Sequence, residues 1–157
     1  LLKIKVLAIG NRLPAWVSLG IEEYAKRLPT DINLEWNQFR LHSKFSSKTA
    51  AIAREKQGEK FLAVIPVGAT VIALDEGGDA WSSKDLANTL SNWMLNSEYI
   101  CILIGGPDGL SPKCLERADQ IWSLAPITLP HFLVRIILVE QLYRACSINR
   151  GHPYHRE

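Results

Sequence analysis

The stretch Gly151-His152-Pro153-Tyr154-His155-Arg156-Glu157 at the end of the sequence carries two imidazoles, a phenol and a guanidinium beside a proline. Imidazole and guanidinium groups donate hydrogen bonds and neutralise phosphate, and a phenol ring stacks on a base. A frayed chain end is ordinarily small and polar. Here the density of functional side chains points to a working segment. It follows directly on the longest apolar helical pattern in the sequence, so it starts from a fixed anchor. On that helix Glu140 and Arg144 stand four residues apart and meet on one face. They read either as a local ion pair worth a few tenths of a kcal/mol, roughly, or as a charge pair beside a subunit seam. His131 and Arg135 form a second polar pair at the same spacing.

Two further segments carry binding chemistry. Gly105-Gly106-Pro107-Asp108-Gly109 lies between a fully apolar run and a short helical pattern, and a glycine turn there permits close approach of a ligand to the backbone. No Gly-Lys-Ser/Thr follows, the third glycine of the dinucleotide fingerprint is absent, and Pro107 interrupts the turn. A nucleotide-like ligand bound here would lack a polyphosphate; the alternative is a tight structural turn. The second segment, Ser123 to His131, is an apolar loop fixed by Pro126 and Pro130. Its backbone amides and carbonyls need partners, and an adenine ring reading main-chain groups in an apolar slot would supply them. The alternative is packed core.

The elements that must hold these segments alternate between strand and helix. Lys3–Ile9, Asn33–Phe39, Thr70–Leu74, Tyr99–Ile104 and Gln120–Leu124 read as strands. Helices are expected over 15–28, from Ser46 or Ser47 to Ile65, from Ser82 or Ser83 to Asn96, over 111–118 and over 130–149, with Asp75 to Gly78 as a turn. This order predicts an α/β fold with a mostly parallel sheet and helices on both faces. Ligands of such sheets bind beyond the carboxyl ends of the strands, at Leu74, Gly105 and the stretch after Leu124.

At 157 residues, 47% of them hydrophobic and 22% charged, the chain is expected to form a single domain, spanning 1–157, and is not a disordered one. The net charge of +2 does not by itself announce nucleic-acid binding, but its distribution leaves an RNA-facing side open. Arg40, His42, Lys44 and Lys48 form one acid-free run, in a segment expected to be a mobile loop. Arg144, Arg150, His152, His155 and Arg156 form another. Cys101, Cys114 and Cys146 have neither zinc nor disulfide spacing, so no metal is expected and buried reduced thiols are. With no signal-peptide pattern and no membrane-length apolar run, a soluble cytoplasmic protein is the expectation.

Taken in order, Gly105 to Ser111, Leu124 to Pro130 with His131, and His152-Pro153-Tyr154-His155-Arg156 resemble the RlmH family, small bacterial SPOUT-class methyltransferases that modify a pseudouridine of 23S ribosomal RNA. The resemblance runs from Lys3-Ile4-Lys5 through Trp16 and Tyr24 to the tail; Asp108 stands where glutamate is more frequent, and Pro126 where the family accepts other residues. It implies a C-terminal trefoil knot, a rare exception to unthreaded chains, and S-adenosylmethionine as cofactor. By motif, Leu74, Gly105, Leu124, Ala125, Pro126, Ile127, Thr128 and Leu129 would hold the cofactor. It further implies a homodimer in which one subunit's tail helps to complete the other's site, and methyl transfer to pseudouridine N3 on the assembled ribosome. Glu140 would be the base or the group that orients it, with His155 as the second candidate base. Arg144 and Arg156 would clamp phosphate or base oxygens, Tyr154 would stack on the base, and His131 would line the pocket. The competing readings are a SPOUT enzyme acting on transfer RNA, a non-enzymatic RNA-binding protein and a small nucleotide-binding α/β protein, the last disfavoured by the missing phosphate loop.

Overall fold

The computed structural model describes residues 1–41, 47–96 and 98–156, with the backbone alone at Ser47 and Lys48. His42, Lys44, the Lys48 side chain and the candidate cap Ser46 therefore lie outside the described residues. Ten elements alternate along the chain: β1 (Leu2–Ile9), α1 (Ala15–Ala25), β2 (Ile32–Phe39), α2 (Ser47–Val64), β3 (Thr70–Ala80), α3 (Ser83–Leu95), β4 (Tyr99–Ile104), α4 (Pro112–Arg117), β5 (Gln120–Ser123) and α5 (His131–Asn149). The strands form one sheet in the order β2-β1-β4-β3-β5, and each pairing is parallel.

The period of two along each strand decides which helices cover which face. Leu2, Ile4, Val6 and Ala8 of β1, with Ile100, Ile102 and Ile104 of β4, pack against Leu86 and Leu90 of α3 and Leu138 and Leu142 of α5. The alternate residues Leu7, Ile9, Cys101 and Leu103 face Phe61 of α2 and Cys114 of α4. Strand β4 is thus apolar along its whole length because both of its faces are covered. The three cysteines are buried free thiols, and burial pushes those of Cys101 and Cys146 up to about 11, so they stay protonated and inert. Among the described residues no helix is long and apolar enough to cross a membrane.

Two expected boundaries need correction. Helix α1 ends at Ala25, not Leu28: the Arg27 and Leu28 amides bond three residues back, to Tyr24 and Ala25, a tightening into 3₁₀ geometry before Pro29. Residues 75–78 do not end β3. Leu74 and Asp79 both oppose Trp122 of β5, so Asp75 to Gly78 bulge outward while the strand resumes to Ala80. Glycine is required at the return, since a Cβ on Gly78 would lie 2.6 Å from the Ile121 carbonyl carbon. Stacking of Trp81 on Trp122, 5.0 Å between ring centres, closes this edge.

Because the strands are parallel, the carboxyl ends Ile9, Phe39, Ile104 and Ser123, together with Leu74 where β3 begins to bulge, lie along one rim. The bulge after Leu74 and the loops after Ile104 and Ser123 converge there.

Candidate active site

The loop after β4 is built around a turn in which the Gly109 amide donates to the Gly106 carbonyl at 2.9 Å, with Gly109 at φ +80°. Its first residue has no room for a side chain: a Cβ on Gly105 would sit 2.6 Å from the Gly109 carbonyl carbon and 2.9 Å from the Leu110 nitrogen. The turn therefore folds back tightly over the end of β4. Arg54 of α2 donates to the Asp108 carbonyl at 3.4 Å, and Ser111 caps α4 through the Cys114 amide. The loop after β5 is held by the Ser123 hydroxyl, which donates to the Ala125 carbonyl, and by the Thr128 hydroxyl, which donates to the Glu76 carboxylate, both at 2.9 Å.

Between these loops lies a cavity of about 340 Å³. Of the residues the sequence assigned to a cofactor, Leu74, Gly105, Leu124, Ala125, Ile127, Thr128 and Leu129 line it, while Pro126 is exposed and does not. His131 and Val134 at the start of α5 close one side. Asp75, Glu76 and Asp108 also line the cavity, and among the described residues neither lysine nor arginine does. The sequence reading had placed Asp75 and Glu76 in a turn, so their position at the pocket was missed; their signal was an acidic pair directly after a strand. A second cavity, of about 360 Å³, adjoins the first through Gly106, Pro107, Leu129 and His131, and is completed by Pro130 and Phe132.

The tail forms a separate cluster. Gly151, at φ +68°, ends α5 in a Schellman turn, with the Gly151 amide on the Ile148 carbonyl (3.2 Å) and the His152 amide on that of Ser147 (2.9 Å). The chain consequently runs back along α5, and Tyr154 reaches a residue more than two turns before the helix end: its hydroxyl donates to Glu140 Oε1 at 3.0 Å. The same oxygen accepts Arg144 Nε at 2.9 Å and Nη2 at 2.6 Å, while Oε2 accepts the Gln141 amide at 2.7 Å. Arg144 lies over the Tyr154 ring, 4.7 Å from its centre, and Tyr154 packs on Tyr143. Burial, and then the bond to Glu140, push the Tyr154 phenol up to about 12, so at neutral pH it is a donor. Arg144 Nη1 lies 3.2 Å from His155 Nδ1; guanidinium can only donate, so Nδ1 accepts and a neutral His155 carries its proton on Nε2. Arg156 is exposed beyond this cluster.

Arg135 is not the helix-surface partner of His131 that the spacing suggested. Fully buried, it reaches the rim of the sheet, where Nη2 donates to the carbonyls of Ile9 (2.7 Å) and Gly10 (2.9 Å) and Nη1 to the Gln38 side chain (3.1 Å). Gly10, at φ +109°, is shaped around it: a Cβ there would stand 3.1 Å from Nη2. None of these partners is a carboxylate, and burial pulls the guanidinium down to about 10.

This geometry is matched by known proteins. Residues 2–155 match a family model described as "Predicted SPOUT methyltransferase". The chain is 43% identical over 155 residues to a protein of Marinomonas sp. (strain MWYL1) named ribosomal RNA large subunit methyltransferase H, covering 99% of this chain and all of that protein. Among solved structures, a probable methylase family protein from Haemophilus influenzae Rd KW20 superposes with a TM-score of 0.61 at 12% identity, over 98% of this chain and 70% of that one. A probable methyltransferase from Bordetella pertussis Tohama I gives 0.55 at 13% identity, over 90% and 95%. At such identities the two structures speak for the fold alone. The full-length family match and the 43% relative settle descent: this chain belongs to the SPOUT methyltransferase family and, within it, to the RlmH group.

Proposed function

We propose that the protein is an S-adenosylmethionine-dependent methyltransferase that methylates N3 of a pseudouridine in 23S ribosomal RNA on the assembled ribosome, as a cytoplasmic homodimer with a trefoil-knotted C-terminal half. The observation that carries the reading is the lining of the first cavity: apolar loops with main-chain edges, three carboxylates and, among the described residues, no lysine or arginine. That composition suits an adenosine joined to a positively charged sulfonium and repels a polyphosphate. Gly105, Leu74 and the loop residues Leu124, Ala125, Ile127, Thr128 and Leu129 would hold the cofactor, with Pro126 fixing the loop from outside. When bound, the cofactor supplies an electrophilic methyl group.

The tail cluster lines neither cavity. Glu140 lies nine residues along α5 from His131, about 13 Å at the rise of an α-helix. A second subunit is the natural source of a tail that reaches the pocket. An apolar surface for it exists on α1 and α5, which cross closely where Gly20 meets Ile136: Trp16, Leu19 and Leu133 are exposed there. In this arrangement Glu140, with both oxygens engaged, orients the tail and is not itself the base. Arg144, the His155 Nε2–H and Arg156 present positive or donor groups to base oxygens and phosphates, and Tyr154 is held for stacking.

The test is to incubate the protein and isotopically labelled donor with undermethylated ribosomes, naked 23S RNA, a short stem-loop and transfer RNA, and to read nucleosides by mass spectrometry. One N3-methylated pseudouridine per 23S RNA, made on ribosomes and not on the isolated RNAs, is expected. Methyl transfer to transfer RNA instead, or none to any RNA by a donor-bound protein, would overturn the reading.

A further inference from the structure

We propose that the second cavity seats the target base and that His131 is the catalytic group that accepts its ring N3 proton; the inference rests on the methyl-transfer reading above. A methyl group held in the first cavity can reach its acceptor only where the two ligands touch, and the second cavity shares Gly106, Pro107, Leu129 and His131 with the first. Its size falls in the range of small-ligand pockets, roughly 300–1,000 Å³. Pro107, Pro130 and Phe132 offer apolar walls to a ring, and Phe132 meets the His131 imidazole edge to face at 4.2 Å, which fixes the imidazole plane.

Among the described residues His131 is the only titratable side chain that lines this cavity. The groups facing it from elsewhere are Arg135 one turn along its own helix and, across the first cavity, Asp75 and Glu76 of β3 and Asp108 of the glycine loop. Asp75 accepts from the Gly77 amide and Glu76 from the Thr128 hydroxyl. Burial, and then the charge of Arg135, pull His131 below the usual imidazole range, and its place at the first position of α5 acts in the same direction. The buried guanidinium without a carboxylate partner thus has a use: it keeps the imidazole neutral, with a lone pair available, at the pH where ribosomes work. The tail offers no equivalent, since both Glu140 oxygens are engaged and His155 Nδ1 accepts from Arg144.

In the transfer step the imidazole lone pair takes the N3 proton, and the N3 electron pair forms the new bond to the methyl carbon. The carbon–sulfur bond breaks with its electrons passing to sulfur, so the positive charge of the sulfonium ends on the imidazolium, which returns its proton to water.

The experiment compares the wild-type protein with His131→Gln and His131→Asn on ribosomes. The expected result is a fall in kcat of about 10²–10⁴-fold, with donor affinity by calorimetry changed by no more than about threefold. Wild-type kcat should rise with pH through a limb lying below the ordinary imidazole value of about 6.5 and stay flat above it, and the residual activity of His131→Gln should lack that limb. Turnover of His131→Gln within about threefold of wild type, or a wild-type profile without the acidic limb, overturns the assignment. The profile needs no substitution, so a variant that misfolds does not shield the proposal. A wild-type protein that methylates no RNA would instead bring down the methyl-transfer reading itself.

Discussion

A chain ending at Arg150 is expected to bind S-adenosylmethionine as tightly as the full protein and to transfer the methyl group about 10³-fold more slowly or worse. The truncation leaves α5 intact to Asn149 and removes nothing from either core cluster. It deletes Tyr154, which donates to Glu140 and packs under Arg144, and His155, which holds the Arg144 Nη1. Glu140 and Arg144 keep their ion pair at 2.6 Å but lose Tyr154, His155 and Arg156, the groups the tail would bring to a base. Calorimetry with the donor and a single-turnover assay on ribosomes read the two effects separately. Equal loss of donor binding and turnover would show that the tail serves the cofactor pocket of its own subunit.

The second large effect is expected at the opposite end of the site. Gly105→Ala places a Cβ 2.6 Å from the Gly109 carbonyl carbon, against backbone that cannot rotate away. Relieving an overlap of this kind costs about 1–3 kcal/mol, occasionally more, and the Gly109–Leu110 peptide that must move is part of the pocket wall. Donor affinity should fall about 10–100-fold, at 1.4 kcal/mol per factor of ten. Gly109→Ala is the control. It meets nothing within 4 Å but sits at φ +80°, so its cost is conformational, about 1–2 kcal/mol, and falls on stability more than on the donor. Thermal melts with and without donor separate them. A Gly105→Ala protein that binds donor like wild type would mean that the glycine turn is only structural.

Much of this site was legible before the fold was seen, for reasons visible in particular residues. An apolar run such as Tyr99 to Ile104 is buried on both faces only in a parallel sheet, and a parallel sheet puts its loops at one rim; that is why Leu74, Gly105 and the Leu124 loop could be grouped from spacing alone. The long apolar helical pattern before Gly151 announced a fixed anchor for the tail. What failed were features set by distant partners. Residues 75–78 have turn composition, yet pairing of Asp79 with Trp122 and of Ala80 with Ser123 carries β3 across them and brings Asp75 and Glu76 to the pocket. Arg135 looked like a helix-surface partner of His131, while its oxygen partners, Ile9, Gly10 and Gln38, lie 97 to 126 residues away in sequence. The second cavity exists only because the glycine loop approaches the start of α5, a juxtaposition that local patterns do not encode.

Pocket and tail belong to different subunits in this account, and co-expression of the chain ending at Arg150 with the full-length Gly105→Ala chain tests that most directly. Each parent dimer lacks one half of both sites, but a mixed dimer joins an intact pocket from the first subunit to an intact tail from the second. Random pairing then predicts recovery to about a quarter of wild-type turnover, carried by one site in each mixed dimer. Mixed dimers that form, as shown by mass, and are no more active than their parents would contradict the account.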